Sequence, residues 1–315
     1  MSGFEHQPVL LHEAIDALSI KPSGIYLDGT FGRGGHSSAI IEKLNEQGHL
    51  LAVDRDPEAV ATAIERFGDD SRFTIVRANF TELHHECEKR GWLGKVDGVL
   101  LDLGVSSPQL DDSERGFSMR ENGPLDMRMD PDSGISAAEW LAKAKVSEIA
   151  SVLKKYGEER FAKRIAGAIV AYRDEHGPFT DTASLSKVIS EANPKWERER
   201  HPATRSFQAI RIEINAELKA IEMFLESALE LLAPGGRLVI ISFHSLEDRR
   251  IKRFMRDLAR GDDFPPDLPI TADQINPDLK LIGKAIRASK EELERNPRAR
   301  SATMRVAERT MAKVA

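Results

Sequence analysis

The stretch "LDGTFGRGGHS", residues 27 to 37, sets an acid, Asp28, before four glycines, Gly29, Gly32, Gly34 and Gly35, and follows them with His36. Glycines this dense at a strand-to-helix turn let a ligand lie on bare backbone, against the free amides and positive dipole end of the next helix. Their spacing restricts what that ligand is. A dinucleotide fingerprint reads G-x-G-x-x-G and a P-loop reads G-x-x-x-x-G-K-[ST]. Here the order is G-x-x-G-x-G-G with no Lys after it. A ligand held chiefly by its phosphates is disfavoured, and Asp28 would repel a pyrophosphate.

Further groups fall in series. Asp54 closes "LLAVD", about twenty residues beyond the loop, where an acid can accept both hydroxyls of a ribose. Asn79 and Phe80 follow a third apolar run and are placed to meet a base by hydrogen bond and by stacking. Asp102 closes a fourth. The set expects a nucleoside carrying a cationic amino-acid tail. S-adenosylmethionine has that make-up: the loop amides suit its carboxylate, Asp28 its ammonium, Asp54 its ribose and Phe80 its adenine.

Other chemically capable residues carry less. His84, His85 and Cys87 in "LHHEC" sit in one helical stretch without a second cluster, so no metal site is expected. His244 in "SFHSLED" follows a strand and faces the same edge as the site, where it can touch a substrate or serve structure. Trp140 and Trp196 read as core residues rather than stacking platforms.

The elements that must position these residues alternate in βα fashion from about residue 5 to 110. "GIYLDG", "HLLAVD", "FTIVRANF" and "VDGVLLDLG" read as strands; "VLLHEAIDAL", "HSSAIIEKL" and "PEAVATAIERF" read as helices. Ser37 and Ser38 stand where they could cap the second helix. Continuous apolar strand runs imply a sheet covered on both faces, with parallel neighbours and right-handed crossovers. All the site residues then fall at carboxyl ends of parallel strands.

Residues 110 to 205 read differently. A long polar loop, "DDSERGFSMRENGPLDMRMDPDSG", leads into four helical patterns, and a loop of that length is functional or disordered. We expect a discontinuous α/β core, residues 1–109 and 206–315, interrupted by an inserted helical subdomain over 110–205. Beyond it, "SFQAIRIEINAELKAIEMFLESALELL" reads as one long helix, "APGG" as a turn and "RLVIISFHS" as a strand. "LKLIGKAIRAS" and "SATMRVAERT" are two alternating segments that could close the sheet edge.

Composition sets limits. With 41% hydrophobic and 30% charged residues, the 315-residue chain is globular, and no stretch has the apolar length of a membrane span. One Cys and a start without a signal-peptide profile point to the cytoplasm. A net charge of −6 gives no global attraction to nucleic acid. Any such binding must use local patches, with "EDRRIKRFMR" at 247 to 256 and the tail from Arg295 to Lys313 as candidates.

At this point the residues resemble a known family. "DGTFGRGGHS", "AVDRDP", "GVLLDLGVSSPQLDDSERGFS", "GPLDMRMD", "YGEERFAKRIA", "HPATRSFQAIRI" and "LAPGGRLVIISFHSLEDR" are together similar to the RsmH, or MraW, methyltransferases. The likeness runs from about His6 to "NPRARSATMRVAER". It implies a class I, Rossmann-like S-adenosylmethionine-dependent methyltransferase core with an inserted helical domain that helps engage RNA. It implies N4-methylation of a cytidine in the decoding centre of 16S rRNA, with the small (30S) ribosomal subunit as partner. It implies cofactor contacts at Gly34, Gly35, His36, Asp54, Phe80, Asp102 and Gln109; His36 and Gln109 come from the resemblance alone. Oligomeric state is left open, a homodimer included.

Methyl transfer from a sulfonium needs no metal and no covalent enzyme intermediate. Many amino-methyltransferases follow the fourth strand with D/N-P-P-Y/F; here "DLGVSSP" stands instead. Asp102 is the expected catalytic residue, shared with cofactor orientation, while Ser106 or Ser107 either present the base or cap a helix. Two rivals differ in class. A nicotinamide-dependent oxidoreductase fails on glycine spacing. A non-enzymatic assembly factor has no use for an intact glycine loop.

Overall fold

The computed structural model describes residues 8–194, 201–261 and 276–311. Trp196, His6 and the last residues of the basic tail, Lys313 included, lie outside the described residues. The chain forms two compact units, residues 1–104 with 218–315, and residues 105–217. The helical unit thus extends past both sequence-based boundaries, 110 and 205.

The first unit is built on a seven-stranded sheet in the order β3-β2-β1-β4-β5-β7-β6. The strands are β1 (Ile25–Asp28), β2 (His49–Asp54), β3 (Phe73–Arg77), β4 (Val96–Asp102), β5 (Leu232–Ser242), β6 (Leu279–Leu281) and β7 (Thr303–Arg309). The first five run parallel; β7 pairs antiparallel with both β5 and β6. The two late segments therefore do close the sheet edge, although only Leu279–Leu281 of the first is strand. Strand order reverses between β1 and β4, the position where open α/β sheets leave a crevice for a ligand. The sheet is the mostly parallel, Rossmann-like one expected.

Helices α1 (Leu11–Leu18), α2 (Gly35–Ile41), α3 (Pro57–Phe67) and α4 (Leu83–Lys89) link the early strands. Helix α3 starts where its residues dictate: Asp56 accepts the Glu58 amide, and Pro57 needs no partner for a missing N–H. The apolar run of β4 buries Val99, Leu100 and Leu101 completely, as a strand covered on both faces requires.

The second unit contains α5 (Ser107–Asp111), α6 (Ala137–Lys143), α7 (Val146–Gly157), α8 (Ala162–His176), α9 (Thr182–Ala192) and α10 (Thr204–Ile214) around its own core, which includes Leu141, Ile149, Leu153, Ile165, Ile169, Leu185 and Ile210. Trp140 packs against that core, as expected. The long polar loop is ordered by internal bonds. Arg128 grips Asp126 with two side-chain nitrogens at 2.8 and 2.7 Å, and Arg115 donates to the Met129 carbonyl at 2.9 Å.

Two readings need correction. The expected single long helix is two, α10 and α11 (Glu217–Leu231), broken at Asn215 and Ala216. Asn215 turns its amide on the polar loop, donating to the Met127 carbonyl at 2.7 Å and accepting from the Met129 amide at 2.8 Å. Ala216 takes a left-handed φ of 48°, and Arg211 bridges the break to Glu217 at 2.8 Å. Apolar periodicity continues through the break, so it left no trace in the pattern. The second correction is "APGG", which is an irregularity inside β5 rather than a turn before it. Val96 pairs with Leu232, then the register shifts so that Gly98 pairs with Arg237.

After β5 come α12 (Ser245–Arg260) and α13 (Lys290–Arg295).

Candidate active site

The glycine loop leaves β1 and enters α2. Gly34 is the residue before the helix, with a φ of 73°, and the helix start has no side-chain cap. The expected serine cap is not formed, because Ser37 Oγ donates instead to Asp28 Oδ2 at 2.7 Å. The loop's own packing accounts for much of the glycine content. A Cβ on Gly29 would sit 2.2 Å from Leu101 Cδ2, and one on Gly35 would sit 2.1 Å from Pro8 Cγ.

Asp28 is buried, only 1% exposed, and its other oxygen accepts the Thr30 amide at 3.0 Å. It clamps the turn from beneath instead of offering an open carboxylate for an ammonium. Burial pushes its carboxyl up to about 6. Asp54, at the end of β2, accepts the Gly32 amide at 2.8 Å and the Asp56 amide at 2.9 Å. Each oxygen keeps a second lone pair, so a vicinal diol can still be held while the acid ties the loop to the strand. Burial raises its carboxyl too.

Asp102 ends β4 in the strand next to β1. Its amide donates to Thr30 Oγ1 at 2.6 Å, and its Oδ2 lies 3.9 Å from His36 Nδ1. Its Oδ1 is sealed from solvent and has no hydrogen-bond partner among the described residues. Burial first, then the charges of Asp28 and Glu247, hold its carboxyl well above the usual range. His36 is buried, with Nε2 3.1 Å from the Val9 carbonyl. A neutral His36 that donates from Nε2 carries its proton there, and Nδ1, the nitrogen nearer Asp102, is then an acceptor.

Phe80 opens a 3₁₀ turn after β3 and packs edge-on against Phe224, ring centres 5.9 Å apart. It stays half-buried. Asn79 caps that turn, its side-chain oxygen accepting the Thr81 amide at 3.1 Å. In the helical unit, Ser106 caps α5: Gln109 Oε1 accepts the Ser106 amide at 3.0 Å, and Ser106 Oγ accepts the Gln109 amide at 3.4 Å. Of the two roles open to Ser106, capping is the one seen.

The first unit thus brings Gly34, Gly35, His36, Asp54, Phe80 and Asp102 to the carboxyl edge of one sheet. Gln109 belongs to the helical unit. Two contributors escaped sequence reasoning. Thr30 fixes the start of the Asp102 turn. Glu247, 1% exposed in the first turn of α12, accepts the Phe243 amide at 2.8 Å and adds its charge to the field on Asp102. An acid in the first turn of a helix that directly follows a strand was the available signal for Glu247.

The remaining candidates are paired elsewhere or buried. His84 bonds Glu230 at 2.7 Å, His85 pairs with Glu88, and Cys87 is buried with its thiol pushed up to about 12. His244 caps α12, accepting the Glu247 amide at 3.4 Å.

Comparison with known proteins decides the kinship. A model of the MraW methylase family matches residues 3–310. The chain belongs to the MraW methylase family. A curated relative, the ribosomal RNA small subunit methyltransferase H of Thioalkalivibrio sulfidiphilus, is 60% identical over 305 residues, covering 96% of this chain and 97% of its own. Solved structures with a similar outline include an rRNA methylase from Streptococcus thermophilus, 9% identical with a TM-score of 0.43 over 96% of both chains. Another is a putative methyltransferase from Streptococcus mutans in complex with SAH, 9% identical with a TM-score of 0.43 over 96% of this chain and 99% of that one.

As a MraW methylase, the protein draws its methyl group from S-adenosylmethionine. The residues present fit that cation. Asp28, Asp102 and Glu247 put three carboxyls close enough to act on one another, and Asp102 Oδ1 has no partner among the described residues. A buried acid in that state calls for positive charge.

Proposed function

We propose that this protein methylates the exocyclic N4 of a cytidine in the decoding centre of 16S rRNA, within the small ribosomal subunit, in the cytoplasm. The observation that carries the reading is the buried Oδ1 of Asp102, without a hydrogen-bond partner among the described residues, at the tip of β4 beside the glycine loop. The 60% identical relative, named for the rRNA of the small subunit, supports the substrate class. No helix of the described residues is long and apolar enough to cross a membrane.

In this reading the glycine-loop amides ahead of α2 hold the donor's carboxylate, the free lone pairs of Asp54 hold its ribose, and the exposed part of Phe80 covers its adenine. Gly34, Gly35, His36 and Gln109 complete the contacts. The donor supplies an electrophilic methyl on a sulfonium. A cytosine amine is a poor nucleophile, because its lone pair is delocalised into the ring. Asp102 Oδ1 is free to accept one N–H and turn that lone pair out of conjugation. The acid must be ionised to do so, and positive charge nearby lowers its raised pKa. Fixing acceptor and donor in a near-attack pose is worth up to roughly 7–11 kcal/mol. The target base must leave its stack, at a cost of a few kcal/mol. The helical unit, residues 105–217, helps engage the RNA.

Nucleoside mass spectrometry of small-subunit rRNA from cells with and without the protein tests the reading. Loss of N4-methylated cytidine is expected without it. An unchanged nucleoside profile would overturn the proposal.

A further inference from the structure

Helix α12 carries a feature the site does not use. Its apolar positions Leu246, Ile251 and Met255 are buried, and two ion pairs pin its flanks. Arg305 grips Asp248 at 2.6 and 3.0 Å, and Arg250 reaches Glu222 at 2.6 Å. The solvent side is almost purely cationic. Seven residues of the helix are exposed; five are Arg249, Lys252, Arg253, Arg256 and Arg260, one is Ser245, and Asp257 is the lone acid. At 3.6 residues per turn the five cations fall within an arc of about 100° and run about 17 Å along the helix, from Arg249 to its last residue, Arg260. Asp257 is engaged by Arg256 at 2.8 Å, whereas Lys252 and Arg253 have no ion pair among the described residues. The neighbouring strand β6 adds the exposed Lys280.

We infer that this stripe is a docking surface for the phosphate backbone of the RNA substrate, leading away from the reaction edge. The inference rests on the proposed RNA methylation and adds where the strand is gripped. In a chain of net charge −6, such a stripe is out of keeping with its surroundings. Its placement is also suited: α12 starts directly after β5, whose Ile241 pairs with Asp102. Cations recur about every helical turn, 5.4 Å apart, which suits a polyanion with regularly spaced charges. Four of the five are Arg, whose planar fork matches phosphate oxygens in pairs. A membrane surface fits poorly, since the apolar face that would enter lipid is already buried in the fold.

The test is charge reversal at the two unpaired cations, K252E/R253E, assayed on small subunits from cells lacking the protein. K43E/K219E, at exposed lysines elsewhere, changes the net charge equally. We expect the stripe variant to raise KM for subunits by about tenfold or more. It should flatten the dependence of log KM on log salt by about two, with kcat and affinity for S-adenosylmethionine unchanged. The control should keep the wild-type slope. An unchanged KM and slope in the stripe variant, or an equal loss in the control, would overturn the inference. If the wild-type protein transfers no methyl to subunits at all, the proposed function fails instead. A photo-crosslinking residue in place of Arg253 should label rRNA; labelling only ribosomal protein would replace the RNA surface by a protein one.

Discussion

His36 Nδ1 and Asp102 Oδ2 face each other at 3.9 Å, one at the start of α2 and the other at the tip of β4. The distance is too long for a hydrogen bond and short enough for strong mutual influence. Because His36 Nε2 is turned to the Val9 carbonyl, the nitrogen nearest Asp102 is the one that can lack a proton. Burial and the neighbouring charges of Asp28 and Glu247 favour the protonated form of the acid, and that preference has measurable consequences.

Asp102→Asn should abolish most activity while leaving stability unchanged or raised. Asp102 has a folded pKa above its unfolded one, so the folded state binds more protons. Its stability contribution is present at low pH and is lost as pH rises from the unfolded value through the folded one. An amide of the same shape carries no charge to bury. Methyl transfer should fall by about a hundredfold or more, and thermal denaturation at neutral pH should show no loss of Tm. A large fall in Tm would instead make Asp102 a structural partner.

Cofactor affinity should weaken below pH 6. Asp28, pushed up to about 6, and Asp102, held well above the usual carboxylate range, favour their protonated forms in the ligand-free protein near that pH. A sulfonium and an ammonium nearby favour the ionised forms, so binding near pH 6 should release protons. Calorimetry in two buffers of different ionisation enthalpy reads that release directly. Identical heats in both buffers would contradict it.

Gly34→Ala should cost about 1–2 kcal/mol from the left-handed backbone alone. The new Cβ would also stand 2.5 Å from Phe31 Cζ. Denaturant unfolding should show the loss, and cofactor affinity should fall with it because the loop ahead of α2 must shift.

Asn215→Ala should loosen the helical unit. It strands the Met127 carbonyl and the Met129 amide, at about 1–3 kcal/mol for each buried group. Hydrogen exchange should quicken across residues 105–217 and leave the strands β1, β2 and β4 protected.

Much of this architecture could be read from residue order. Apolar runs ending in Asp28, Asp54 and Asp102 announced the parallel strands and put the acids at one edge, because strand periodicity and turn residues are local signals. The break at Asn215 was hidden: what ends α10 is a bond to a loop more than eighty residues earlier in the chain. The structural bonds of Asp28 and Asn79 were hidden for a related reason. Each accepts an amide two residues onward, and Asp28 also the Ser37 hydroxyl, which composition and spacing do not reveal. Glu247 acts on Asp102 only because β5 lies beside β4.

The central claim is that the edge formed by the glycine loop, Asp54 and Asp102 takes a cationic adenosyl donor. Titrating the purified protein with S-adenosylmethionine in a calorimeter at pH 7.5 tests it most directly. The account predicts saturable one-site binding, weakened by about tenfold or more in Asp54→Ala. A flat trace at saturating donor, from protein that still unfolds cooperatively, would contradict it.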